Sequence, residues 1–107
     1  MFHIDEKGKF KILRAEGELT AMSSVERFRE LLSRMMDTGQ KHLAVDLTRA
    51  VIIDSSAIGC ILACHKRLEL MGGEIIVVTT PNRVMEALLQ TSVHRVIRIV
   101  ESEHEIR

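Results

Sequence analysis

Tryptophan and tyrosine are missing from this 107-residue chain, and phenylalanine occurs only three times. That leaves no aromatic platform on which bases could stack. Neither sign of charge is in excess: fifteen lysines and arginines face fifteen aspartates and glutamates. A net charge of zero gives no electrostatic footprint for nucleic acid. The longest apolar run, Ala57 to Cys64 counting Gly59, is far short of a membrane span. Met1-Phe2-His3-Ile4-Asp5 lacks the basic and then apolar pattern of a signal peptide, so a cytoplasmic protein without direct membrane insertion is expected. Cysteine is scarce. Cys60 and Cys64 lie four apart, which is not a redox Cys-x-x-Cys, and no second ligand pair accompanies them. They read as small buried hydrophobes, with no metal and no cofactor expected. Linkers, repeats and low-complexity tracts are also absent, so residues 1–107 are read as a single domain.

What is present is a regular alternation of strand and helix signals. Phe2 and Ile4 alternate with polar residues, Asp5 to Gly8 offers a turn, and Phe10 to Ala15 forms a second strand, so the chain opens with a hairpin. Ser23 with Glu26 three residues on has the spacing of a capping box. Val25, Phe28, Leu31, Leu32, Met35 and Met36 then share one helical face, with Glu30 and Arg34 paired on the other and Gly39 as terminator. Leu43 to Leu47 reads as a strand that ends near Asp46, followed by an irregular stretch to Asp54.

A second helix runs from Ala57 to Met71, apolar nearly all round in its first half, with Ile58, Ile61, Leu62 and His65 as the stripe facing the sheet. The leftover apolar residues need cover from another element or a partner. Gly59, one turn into that helix, suggests a closely approaching backbone or an adaptable first turn. Ile75 to Val78 reads as a strand buried on both faces between helix layers. Pro81 starts a third helix with Val84, Leu88 and Leu89 inward, Val96 to Val100 is the last strand, and Glu101 to Arg107 is either a short helix or a frayed end. The expected fold is α/β: a single mixed, mostly parallel sheet of about five strands, opening with a β-hairpin and flanked by about four helices.

The stretch that organises the chain is Ile53-Asp54-Ser55-Ser56-Ala57-Ile58-Gly59. An apolar run stops at an acid and two hydroxyls, and a helix follows at once. Asp54 or Ser55 is a natural N-cap, and the first turn tolerates added negative charge because free amides and the helix dipole favour it. In sheets of this kind functional groups gather where strands end and helices begin. Asp46, Asp54, Ser55, Ser56 and Thr20 are expected at one such edge. Enzymatic signatures are lacking there. No Gly-x-Ser-x-Gly elbow or phosphate-binding glycine loop occurs, and His65 lies nearly three turns from Ser55, out of reach as a base.

These pieces resemble a known family. Gly17-Glu18-Leu19, Asp46-Leu47-Thr48, Asp54-Ser55-Ser56-Ala57-Ile58-Gly59, Gly72-Gly73-Glu74 and Leu88-Leu89-Gln90-Thr91 occur in the order and spacing of the STAS domain. Within it the chain is most similar to the bacterial anti-sigma factor antagonists. The resemblance implies a protein with no catalytic activity of its own that regulates transcription by partner switching. The unphosphorylated form binds an anti-sigma factor serine kinase, and phosphorylation of Ser55, with Ser56 the second choice, releases it. A serine phosphatase acting on the phosphorylated form resets the switch. The implied partner surface comprises Thr20, Asp54, Ser55, Ser56, Ile58 and Gly59, with Thr20 standing where sporulation-type members carry an aspartate. An alternative within the same family is a non-switching interaction subunit, for example the cytosolic small subunit of a lipid or anion transport system, in which Ser55 only caps a helix.

Overall fold

A computed structural model describes residues 1–106. Strand β1 (Phe2–Lys7) turns antiparallel into β2 (Phe10–Leu19), giving the expected hairpin with Phe2 opposite Ala15 and Lys7 opposite Phe10. Helix α1 (Val25–Asp37) leads to β3 (His42–Ile53), helix α2 (Ser55–Leu70) to β4 (Glu74–Val78), and helix α3 (Arg83–Gln90) to β5 (Arg98–Val100). The five strands lie in the order β1-β2-β3-β4-β5, parallel from β2 onward. Three α-helices and two short 3₁₀ turns, Val93–Arg95 and Glu103–Glu105, replace the expected set of about four helices. The terminal helix expected over 101–107 is reduced to the second of these turns, and residue 107 lies outside the described residues. No helix among the described residues is long and apolar enough to cross a membrane.

The main core forms where the helices meet one face of the sheet. The α1 stripe of Val25, Phe28, Leu31, Leu32, Met35 and Met36 is buried as its spacing requires, and the Phe28 ring stacks on Phe2 with centroids 6.0 Å apart. Ala57, Ile58, Cys60, Ile61, Cys64 and Leu68 are the buried residues of α2, whereas Leu62 and His65 of the expected stripe are only half-buried. The helix is apolar nearly all round because α1 covers what the sheet does not: the Cys64 Sγ lies 3.6 Å from the Met36 Sδ. Both cysteines are free and buried, and burial pushes the Cys64 thiol up to about 12, so it stays protonated as packing material.

Val84 and Leu88 of α3 join the same core. Leu89 does not: it is 46% exposed, because the helix turns it away from the Val84–Leu88 side. Val96 is likewise exposed and precedes the three-residue β5, so the last strand is shorter than its β-branched sequence suggests.

The second face of the sheet carries a separate cluster of Phe10, Ile12, Ala44, Ile76, Val78, Val100 and Ile106, which contains no residue of α1, α2 or α3. β4 is buried on both faces, but the helix layer expected on its second side is absent. The final 3₁₀ turn is fastened over this face instead. Arg14 donates to Asp5, Asp46 and Glu103, each at 2.7 Å, and Lys7 donates to the Glu103 carbonyl at 2.8 Å. One guanidinium thus joins β1, β2, β3 and the terminal turn.

Three local expectations fail for physical reasons. Ser24, not Ser23, precedes α1, and it has a left-handed backbone (φ 41°) with no side-chain cap. Its Oγ donates to the Glu18 carbonyl at 3.0 Å, so the capping box does not form. β3 does not stop near Asp46 but runs on to Ile53, paired with the second half of β2. Two register shifts, between Arg14 and Glu16 and between Gly17 and Glu18, each place an extra β3 residue against β2. Such bulges bend a strand and break its alternation, which is why the sequence there resembles a loop. Pro81 lies in the turn ahead of α3, whose cap is Asn82 accepting from the Met85 amide at 3.0 Å.

Gly59 has no close backbone neighbour: a Cβ built there meets nothing within 4 Å. Gly73 is the opposite case, with the Lys41 carbonyl oxygen 2.1 Å from the built Cβ. Gly59→Ala is therefore expected to stabilise the chain by about 0.5–1 kcal/mol through helix propensity alone. Gly73→Ala should destabilise it by about 2 kcal/mol or more, because the β3 and β4 starts must separate; urea unfolding measures both. A third variant tests the Arg14 ion cluster, of which Asp46 is the buried member. Burial opposes the charge on Asp46, but the Thr48 hydroxyl and amide and the Arg14 guanidinium outweigh it and hold the carboxyl below its usual range. Such a group contributes stability above its unfolded value and loses that contribution as pH falls through the depressed one. Asp46→Asn is expected to cost about 1.5–3 kcal/mol at neutral pH. It should also flatten the decline in stability below about pH 4, read from unfolding curves at stepped pH.

Candidate functional site

β3 ends at Ile53, whose side chain is buried, and the next residue turns the chain into α2. Asp54 is in extended conformation (φ −118°, ψ −177°), the backbone of an N-cap residue. Its Oδ1 accepts the Ser56 and Ala57 amides, both at 3.1 Å, and the Ser56 hydroxyl at 2.5 Å. Its Oδ2 accepts the Ala21 amide at 2.8 Å from the loop between β2 and α1. The Ser56 hydroxyl and the Ala21 amide lead the interactions that lower the carboxyl's affinity for protons, so Asp54 is an anion at neutral pH.

This one side chain sorts the two serines. Ser56 is half-buried and turned inward onto Asp54. Ser55, the first residue of α2, is exposed, and its hydroxyl has no hydrogen-bond partner among the described residues. Thr20 is half-buried beside the linked loop, where its carbonyl accepts the Ser23 amide at 2.9 Å. Gly59 lies one turn beyond Ser55 and is exposed. Thr20, Asp54, Ser55, Ser56 and Gly59 therefore share one end of the sheet.

Two expected members lie elsewhere. Ile58 is 5% exposed and belongs to the core beneath this surface. Asp46 sits on the second face of the sheet in the Arg14 cluster, seven residues of β3 before the turn, because the strand continues past it. Sequence reasoning passed over Ala21, the amide that fixes the loop to α2, and Met22 beside it, which is 97% exposed. Val51 and Ile52, at 61% and 38% exposure, add apolar surface just before the turn. An apolar residue just before the helix-start signal at Ser23, and a β-branched pair in a stretch read as irregular, were the available cues.

Among the described residues the Ser55 hydroxyl has no hydrogen-bond partner, and the Ser56 hydroxyl donates to the carboxylate that serves as the cap. No group of three or more histidine, cysteine or acidic residues that could hold a metal ion occurs among the described residues. What the site offers is an exposed hydroxyl at a helix N-terminus, an anion behind it and a rim of exposed apolar side chains.

Solved structures share this architecture across nearly the whole chain. The protein TM1081 of Thermotoga maritima superposes with a TM-score of 0.89 at 22% identity, over 97% of this chain and 89% of its own. The anti-sigma factor antagonist SpoIIAA in its unphosphorylated form matches at 0.75 and 22% identity, over 98% and 92% of the two chains. The Bacillus cell fate determinant SpoIIAA in its phosphorylated form matches at 0.75 and 24% identity, over 99% and 96%. At these identities the likeness is one of fold. The STAS domain family profile matches residues 1–106. With the sheet order, the bulged third strand and the Asp54-capped helix in place, the chain belongs to the STAS domain family.

Proposed function

We propose that this chain is an anti-sigma factor antagonist, a non-catalytic cytoplasmic protein that controls transcription by exchanging partners. The unphosphorylated form binds an anti-sigma factor serine kinase. Phosphorylation of Ser55 by that kinase ends the binding, and a serine phosphatase restores it. The observation that carries the reading is the contrast between adjacent hydroxyls: Ser56 is held by Asp54, and Ser55 is exposed and unengaged. A kinase can reach the second directly, whereas the first must give up its hydrogen bond to Asp54. Support also comes from the likeness to SpoIIAA, a protein solved in both unphosphorylated and phosphorylated forms.

The electrostatics suit a switch that acts on the complex and spares the fold. A phosphate adds about −1.5 to −2 of charge at neutral pH. Asp54 already occupies the amides of Ser56 and Ala57, so the phosphate finds the helix dipole but few free donors. It remains on the surface, beside an existing carboxylate. There it meets whatever partner covers Met22, Val51, Ile52 and Gly59, where like charge and desolvation both oppose contact. The role of Thr20 in this reading is to shape the linked loop, since it brings no charge of its own.

Intact-mass and fragment analysis of the protein from its own host should find one phosphate, on Ser55, and none in Ser55→Ala. Titrated with the anti-sigma kinases of the same genome, Ser55→Ala should bind one of them. Ser55→Asp should bind that kinase at least about tenfold more weakly, a difference of about 1.4 kcal/mol. Phosphate mapped to Ser56, or equal affinity of the two variants, overturns the assignment. A chain that carries no phosphate in its host points to the non-switching interaction subunit.

A further inference from the structure

Between α1 and α2 runs a trough of about 430 Å³. It exists because α2 presents small residues to α1 along this line. Gly59 and Ala63 form one wall, Leu32 and Met36 the other, and a Cβ added at Gly59 would still find nothing within 4 Å. Its charged lining consists of two arginines, Arg29 near the start and Arg67 near the end, and no acidic residue lines it. Their carboxylate partners, Glu26 and Asp37, sit outside the trough in exposed pairs that contribute little to stability. A guanidinium has five donors, so either arginine can hold a second anion without losing its present one.

We infer that this trough binds an unbranched aliphatic carboxylate, with the head on Arg29 and the chain laid between the helices toward Arg67. The apolar walls and the purely cationic lining select a molecule with one acidic end and a hydrocarbon body. The two helices run parallel; Arg29 lies in the second turn of α1, nearer their N-terminal ends, whereas Arg67 lies in the last turn of α2, where the dipole disfavours an anion. Ser33 and Ser56 are the uncharged polar residues of the lining, the Ser56 hydroxyl being held by Asp54. Seven residues of α2 from Cys60 to Arg67 span about 10 Å at about 1.5 Å per residue, the extended length of about eight to ten carbons. Arg67 then covers the end of the chain with its own methylene stem. The inference does not depend on Ser55 being a phosphoacceptor, and its test needs no protein partner.

Decanoate, kept below its micelle concentration, is titrated into the purified unphosphorylated chain and followed by amide chemical shifts and calorimetry. Shifts should fall on α1 and α2. Decyltrimethylammonium, with the same chain and the opposite charge, should bind at least about tenfold more weakly. Arg29→Gln, at an exposed position, should weaken decanoate at least about tenfold, and Arg67→Gln less than about threefold. Ala63→Phe should fill the trough and abolish binding while the melting curve stays unchanged. No decanoate binding, equal binding of the cationic surfactant, or binding that survives Arg29→Gln or Ala63→Phe overturns the inference.

Discussion

Asp54 accepts the amides of Ser56 and Ala57 and the Ser56 hydroxyl through one oxygen, and the Ala21 amide through the other. Everything at this end of the sheet depends on that division of labour. The first oxygen ends β3 and starts α2 in a single residue. The second ties the loop before α1 to the same point, across thirty-three residues of sequence. A helix start held only by its own cap would leave the loop free to wander. Here the two crossovers share an anchor, and the surface made of Thr20, Met22, Ser55 and Gly59 keeps one shape.

Charge elsewhere in the molecule is arranged on a different plan. Arg14 gathers three carboxylates from β1, β3 and the terminal turn on the face of the sheet that the helices leave bare. Asp46 is buried there, so removing one partner leaves an uncompensated charge. The exposed pairs along α1, by contrast, link Glu26 with Arg29 and Glu30 with Arg27 and Arg34, where solvent screens them. The Arg14 cluster thus lies on a different face from the end of the sheet where Asp54 is the anchoring ion and Ser55 is exposed. An added charge on Ser55 would act on local contacts without disturbing the cluster that fastens the terminal turn.

Much of this was legible in the residues. The α1 stripe, the opening hairpin, the two-sided burial of β4 and the role of Asp54 all follow from spacing and side-chain chemistry that act within a few residues of one another. What was not legible depends on distant partners. The second half of β3 is a strand because β2 lies beside it, and its bulges erase the alternation that would have revealed it. Ser23 and Glu26 have the spacing of a capping box, yet Ser24 turns its hydroxyl to a carbonyl of β2. Ile58 and Ile61 of the expected α2 stripe are inward, but Leu62 and His65 are only half-buried, because an almost wholly apolar first half does not specify how the helix is rolled. The resemblance to the family carried the order of the elements and the position of the acidic cap, and it was blind to which neighbouring side chains reach solvent.

The strand order has a consequence for where such a protein can work. Doubly wound sheets reverse their strand order at one point, and the crossovers part there to open a crevice for a ligand. In this chain each strand is added beside the one before it, so the order never reverses, and all three helices pack on the same side. The carboxyl ends of the strands consequently have no such crevice between diverging crossovers. In a molecule built this way the exposed groups at that end are those of helix starts and loop tips, such as Ser55 and Met22.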